Sequence, residues 1–292
     1  MANERLALAY DEVDPRKAVR LRDCATALVY NRETGGGGIR LVRANFCRVR
    51  LCPMCNWRRA LKVGGQMSQI MAAIAQDRRV SYVLLTLTRR NVPGPQLSAA
   101  LDELMEGWQR ITQRVAYRRA VLGHYRALEV THNLDPASDW YDTYHPHYHV
   151  LLAVRPSYYT SRDYISQARW VQMWREAMRL DYDPSVDVRR VKGDTTAAVA
   201  EAAKYAVKAS DILSDDWDAT VETVRLLDRA LHQRRLIAYG GIIGEYHRRL
   251  HLDDAEDGDL VHTDDEPSAV LDQDQAICYI WHSGYRQYYR HT

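Results

Sequence analysis

His145-Pro146-His147-Tyr148-His149 runs straight into Val150-Leu151-Leu152-Ala153-Val154, and the reading of this stretch decides the fold. Its apolar half is rich in residues that suit a pleated, half-buried surface, so it reads as a strand. Side chains two apart on a strand share a face. His147 and His149 therefore point one way, while Tyr148, Val150 and Leu152 point the other way, toward a core. Two imidazoles on one rigid face supply half of a divalent-metal site. The alternative is a set of ordinary surface or core histidines; their density and period of two favour the metal.

Downstream, residues 197–208 read Ala-Ala-Val-Ala-Glu-Ala-Ala-Lys-Tyr-Ala-Val-Lys and are dominated by strong helix formers. Gly193-Asp194-Thr195 before them offers a turn and a capping side chain. Helical spacing would set Glu201, Tyr205 and Lys208 at i, i+4 and i+7 on one stripe. An acid, a phenol and an amine would then stand on a plain alanine and valine scaffold. The alternative is a solvated polar face with Tyr205 capping the core.

These elements, with one more strand, carry a resemblance. Val83-Leu84-Leu85-Thr86-Leu87-Thr88, then His145 to Val150, then Glu201 with Lys204-Tyr205 and Lys208 follow in order across residues 83–208. The ordered set resembles the HUH endonuclease superfamily, and within it the rolling-circle plasmid replication initiators with a single catalytic tyrosine. The resemblance implies an α+β fold: a central antiparallel sheet of about five strands with flanking helices and an N-terminal zinc-binding segment. It implies origin-specific, metal-dependent nicking of single-stranded DNA by Tyr205, giving a 5′-phosphotyrosyl link and a 3′-OH primer. Glu201 is the acid that such initiators place four residues before the tyrosine, to activate water and end the cycle. A free phenol has a pKa of about 10 and needs help, which Lys208 is expected to give by steadying the phenolate or the transition state.

The expected catalytic ion is Mn²⁺ or Mg²⁺ on His147 and His149. Glu129, on the expected neighbouring strand 125–132, is the candidate third ligand, because the family often pairs its histidines with an acidic or polar group there. An exposed strand carboxylate is the other reading of Glu129, and His132 and His145 are the substitutes. Two other classes stay open: a zinc-stabilised DNA-binding protein without catalysis, and a related HUH transposase or relaxase. A small-molecule zinc hydrolase would explain neither Tyr205 nor the basic block described next.

At 292 residues the chain can bury a full core, and its 46% hydrophobic content indicates a globular protein. Its net charge of +2 hides an asymmetry. Between Arg16 and Lys62 there are twelve Lys/Arg and two acids, Asp23 and Glu33. Between His251 and Asp274 there are ten Asp/Glu and no Lys/Arg. The basic block suggests a polyanion partner, and the acidic one reads as a solvated or disordered linker. Origin DNA, single-stranded or as a hairpin, is the expected partner, with host helicase and polymerase following and self-association possible. No apolar run approaches membrane-spanning length, and Met1 to Tyr10 lacks a signal-peptide core, so a cytoplasmic protein is expected.

Cys47-Arg48-Val49-Arg50-Leu51-Cys52-Pro53-Met54-Cys55 lies inside the basic block. In a cytosolic chain so tight a Cys-x-x-Cys favours metal thiolates over a disulfide. Cys24 would close a structural zinc site, with Cys278 apart; a redox dithiol or plain buried cysteines are the alternatives. Arg48, Arg50, Arg58 and Arg59 are expected to face phosphates, as are Arg89 and Arg90 at the end of strand 82–88. Gly240, Gly241 and Gly244 read as a turn after a helix over 218–235, and the aromatic and basic tail 277–289 as a segment that stacks on single-stranded DNA or folds onto the core. The expected division is therefore 1–75, a Cys-rich zinc-binding basic segment; 76–212, the nuclease core; and 213–292, a helical extension with acidic linker and tail.

Overall fold

The histidine stretch forms the middle strand of an antiparallel sheet in the computed structural model, which describes residues 2–32, 38–193, 196–203, 207–263 and 276–291. Two helices, α1 (Ala2–Val13) and α2 (Pro15–Asp23), precede β1 (Ala27–Arg32), β2 (Ile39–Ala44) and the long helix α3 (Pro53–Asp77). Next come β3 (Ser81–Thr88), the two-residue β4 (Val92–Pro93), α4 (Leu97–Gln113), α5 (Val115–Ala120), β5 (Val121–Asn133) and the histidine strand β6 (Thr143–Val154). The chain continues through α6 (Gln167–Met178), β7 (Val186–Arg190), α7 (Thr196–Ala202), α8 (Trp217–Ala230), β8 (Ile237–Gly240) and α9 (Gly241–Arg249), and closes with β9 (Ala276–His282) and β10 (Gln287–His291). Local chemistry sets several starts. Asp14, Ser166 and Asp216 cap α2, α6 and α8 by accepting from backbone N–H groups of the first turn.

The main sheet runs β7-β3-β6-β5-β8, antiparallel throughout, and β4 adds a short pairing to the start of β6. This is the α+β architecture expected from the motifs, with the histidine strand third of five along the main path. Alternation along β6 sorts the helices into two layers. Tyr148, Val150, Leu152 and Val154 face a core shared with α4, α6 and α8, in which Trp170 and Trp174 are fully buried. Each large apolar side chain buried there contributes roughly 1.5–3 kcal/mol. Leu151 and Ala153 face the opposite layer, under α3, α7 and α9, with Tyr125, Ala127, Met67 and Ile70. His147 and His149 have the same parity as Leu151, so they open onto this second layer.

A second sheet, β10-β9-β1-β2, joins the two ends of the chain, pairing Val29 with Cys278 and Leu28 with Tyr279. The tail is thus a pair of strands rather than an appendage. β8 likewise adds to the edge of the main sheet beside β5. Elements from both ends share one core: Tyr10 of α1 donates to Asp228 of α8 at 2.6 Å, and Cys24, Cys47, Cys52 and Cys55 lie in the same apolar cluster as Val83 and Leu85. Among the described residues no helix is long and apolar enough to cross a membrane.

Two expectations are corrected. The acidic segment is no free linker over its described part. Lys62, buried in α3, lies 2.5 Å from Asp253, Gln66 donates to Asp253 O, and Glu256 accepts from both Leu236 N and Ile237 N at 2.6 Å. The acids fold back because the chain carries its own complementary charge. Gly240-Gly241 is not a loop either, since β8 passes directly into α9. Gly241 makes that junction at φ 56°, pairing with Gly123 across a bulge in β5. A Cβ on Gly241 would lie 2.2 Å from Leu122 O. The left-handed backbone alone costs a side chain ~1–2 kcal/mol. Gly241→Ala should therefore lower stability by about 2–4 kcal/mol in urea unfolding; a loss under about 0.5 kcal/mol, the level of a neutral surface change, would contradict the packing described here.

Candidate metal centre

Glu129 on β5 stands opposite His147 in the β5–β6 register, on the face that carries His149. Its Oε2 lies 2.8 Å from His149 Nε2 and 3.4 Å from His147 Nε2. All three residues are buried, Glu129 at 3% exposure, and their donor atoms fall within 4.8 Å of one another. His147 Nδ1 lies 3.0 Å from His145 O, so in the neutral ring that nitrogen carries the proton and Nε2 turns its lone pair to the carboxylate. His149 Nδ1 is buried without a hydrogen-bond partner. Acceptors converging in this way call for a cation, and two imidazoles with one carboxylate suit a divalent first-row ion. The group could hold such an ion.

Burial by itself would push the Glu129 carboxyl up, but the contacts with His147, His149 and Lys208 outweigh it and hold the group well below the usual carboxylate range. Lys208 Nζ lies 3.0 Å from Glu129 Oε1, and that contact raises the ammonium pKa. Glu201 reaches in from α7, with Oε1 3.9 Å from His149 Nδ1. Burial pushes the His145 imidazole down to about 4, with the neighbouring His147 adding to the effect; the two rings stack at 5.0 Å.

Among the described residues, Lys208 does not continue the helical stripe expected for Glu201, Tyr205 and Lys208. α7 ends at Ala202, and Lys208 has extended backbone at φ −86° and ψ 150°. A change of layer explains the end of the helix: Ala203 packs in the cluster under α3 and α9, whereas Val207 and Ile212 pack in the other core. Lys208 therefore arrives at Glu129 from outside the helix. Tyr205, with Lys204, lies outside the described residues. His132 faces away from the group, stacked on Tyr144 at 4.1 Å and bonded to Asp142 and Thr223. Asp211, missed in the sequence, sits on the turn after Lys208, its carboxyl pushed up mainly by burial and partly by Glu129. Only its spacing of three from Lys208 could have drawn notice.

The four cysteines form a second group. Cys24 and Cys55 sulfurs lie 3.7 Å apart, and Cys47–Cys55 and Cys52–Cys24 each 3.6 Å. Sulfurs at the corners of a tetrahedron with ~2.3 Å metal–sulfur bonds would be about 3.8 Å apart, whereas disulfide sulfurs lie at ~2.05 Å. Arg48, at φ 59°, turns its N–H onto Cys55 Sγ at 3.2 Å, and Val49 N donates to Cys47 Sγ at 3.4 Å. Cys52 caps α3 ahead of Pro53. All four cysteines are buried and the set could hold a metal ion, while Cys278 stands apart in β9.

The arginines expected at phosphates have partners within the chain. Arg48 donates to Asp257 O at 2.9 Å, Arg50 to Arg234 O at 3.1 Å, Arg58 to Leu260 O at 2.8 Å and Arg59 to Glu256 O at 3.1 Å. Arg89 pairs with Glu103 at 2.8 Å, and Arg90 lies 3.8 Å above the Tyr182 ring.

Comparison with known proteins shows the family. A family model described as replication protein matches residues 38–289. A protein rep of Bacillus amyloliquefaciens is 41% identical, over 94% of this chain and 84% of its own. A protein rep of Streptococcus pneumoniae serotype 2 is 35% identical over 98% and 88%, and a replication protein of Staphylococcus aureus 39% identical over 73% and 92%. No solved structure matches the chain. With the family model and these relatives covering most of its length, the chain belongs to the replication protein family.

Proposed function

We propose that this chain initiates rolling-circle plasmid replication by nicking one strand of its origin, keeping the 5′ phosphate on Tyr205 and leaving a 3′-OH primer. One observation carries the reading: Glu129, His147 and His149 meet on a single buried sheet face, with Glu201 and Lys208 beside them. In sequence, Tyr205 stands between those last two residues.

Glu129, His147 and His149 would hold Mn²⁺ or Mg²⁺, whose charge would draw electrons from a phosphate oxygen. The Tyr205 oxygen attacks phosphorus; its P–O bond forms as the P–O3′ bond breaks. The phenol proton leaves to a base or water, and the 3′ oxygen takes one up. Lys208 favours the phenolate by its charge. In the closing step Glu201 accepts a proton from water, whose oxygen attacks the phosphotyrosyl phosphorus and expels the tyrosine. Cys24, Cys47, Cys52 and Cys55 would hold structural Zn²⁺. Arg48, Arg50, Arg58, Arg59, Arg89 and Arg90, each with a partner in the chain, would add positive field toward the DNA phosphates.

The helical break after Ala202 sharpens the test. Tyr205→Phe removes the oxygen nucleophile, so cleavage and the protein–DNA adduct should both vanish on denaturing gels with Mn²⁺. Glu201→Ala should still form the adduct and fail to release it; if it loses first cleavage as fully as Tyr205→Phe, Glu201 is not the terminating base. His147→Ala should cut the adduct yield roughly 100-fold while duplex origin binding stays within a few fold of wild type, with a fall in thermal midpoint because buried Glu129 loses a partner. Reduced protein should carry one tightly held zinc, which Cys47→Ser abolishes together with cooperative unfolding; full-strength folding without zinc would remove it from the account.

A further inference from the structure

A cavity of about 850 Å³ lies away from the metal group, between α3 and the second sheet. α3 has two apolar sides. Val63, Met67, Ile70 and Ile74 seat it on the main sheet. Met54, Trp57, Leu61 and Ser68 line the cavity and, at 100° per residue, fall on the opposite side of the helix. A surface helix normally turns a polar face outward. Here Trp57 is 45% exposed and Leu61 41%, at the rim of a groove that the second sheet covers only in part.

Its walls have a specific chemistry. Tyr30 of β1 and Tyr288 of β10 line it from the sheet, and Trp57 from α3, with Phe46 between. Arg58 lies 5.7 Å from the Phe46 ring centre and 5.6 Å from that of Trp57, its guanidinium donating to Leu260 O and Val261 O. Tyr288 is fixed by its hydroxyl on Ala25 O at 2.7 Å. Arg40 and His262 complete the polar lining, and no carboxylate lines the groove among the described residues. Aromatic planes on both walls with arginines between them fit bases and phosphates of an unpaired strand, whereas bases in a duplex are already stacked on each other. The volume is in the range of small-molecule sites, about 300–1,000 Å³.

We propose that this groove binds an unpaired stretch of DNA, holding bases against Trp57, Phe46, Tyr30 and Tyr288 apart from the strand at the metal group. The proposal rests on the reading of the chain as a DNA-nicking initiator, and it adds a second, sequence-tolerant contact to the strand that nicking leaves single.

The test measures fluorescence anisotropy of the full-length, zinc-replete protein with labelled dT20 and with a mixed-sequence 20-bp blunt duplex. Base–aromatic stacking predicts that Trp57→Ala weakens dT20 binding roughly 10-fold, with Trp57→Phe within about 3-fold of wild type. Leu61→Glu puts a carboxylate at the rim of the groove and should weaken dT20 at least as much. Duplex affinity should stay within about 2-fold in all three. Both sites are exposed, so the variants should fold, and zinc content with circular dichroism checks this. If Trp57→Ala and Leu61→Glu bind dT20 like wild type, the groove is not a DNA site and a protein partner becomes its occupant. Equal losses on dT20 and duplex would also overturn the proposal. Adduct formation by the wild type is read separately: its absence would count against nicking, while the dT20 comparison would still decide the groove.

Discussion

A carboxylate buried between two imidazoles sets the terms for this fold. Glu129 has 3% of its surface exposed and keeps its charge only because His147, His149 and Lys208 surround it. Isolated, such a group would be far too costly to bury. Each partner must therefore arrive from a fixed direction: the histidines from the adjacent strand in register, Lys208 from the chain after α7, and Glu201 from α7 itself. The sheet supplies the rigidity, since a slip of one residue in β6 would turn both histidines into the opposite core.

Much of this was legible at short range. Period-two spacing placed His147 and His149 on one face, and the apolar residues between and after them on the other. The Cys-x-x-Cys with a basic surround announced a clustered thiolate group, and the spacing of four from Cys47 was compatible with it. What stayed hidden depends on contacts between distant parts of the chain. Val29 pairs with Cys278 in the second sheet, and neither segment alone says that it needs the other. The end of α7 is equally silent. Residues 197–208 are helix formers throughout, yet Val207 and Ile212 are claimed by a different core from Ala203, and packing overrides propensity.

Charge patterning misled in an instructive way. Composition alone suggests a polyanion partner for the basic block and a solvated or disordered linker for the acidic one. Over the described residues they meet each other: Lys62 pairs with Asp253 and Arg50 with Glu256, while Arg48 and Arg59 donate to the carbonyls of Asp257 and Glu256. Opposite charges on one chain seek each other before any ligand arrives, so a run of arginines marks a field and not a contact list. The tail around Tyr288 reads as a segment that stacks on single-stranded DNA or folds onto the core, but its sharing of a groove with Trp57 is not legible in sequence. Trp57 and Tyr288 are far apart in sequence, and only the second sheet brings their walls together.

Glu129, His147 and His149 are proposed to form a divalent-ion site separate from the four cysteines. Crystals of the full-length protein grown with Mn²⁺ and measured at both the manganese and zinc absorption edges would test it most directly. The expected result is a manganese peak among Glu129, His147 and His149, and a zinc peak among Cys24, Cys47, Cys52 and Cys55. A manganese-free group in well-ordered crystals, with Lys208 still paired to Glu129, would contradict it.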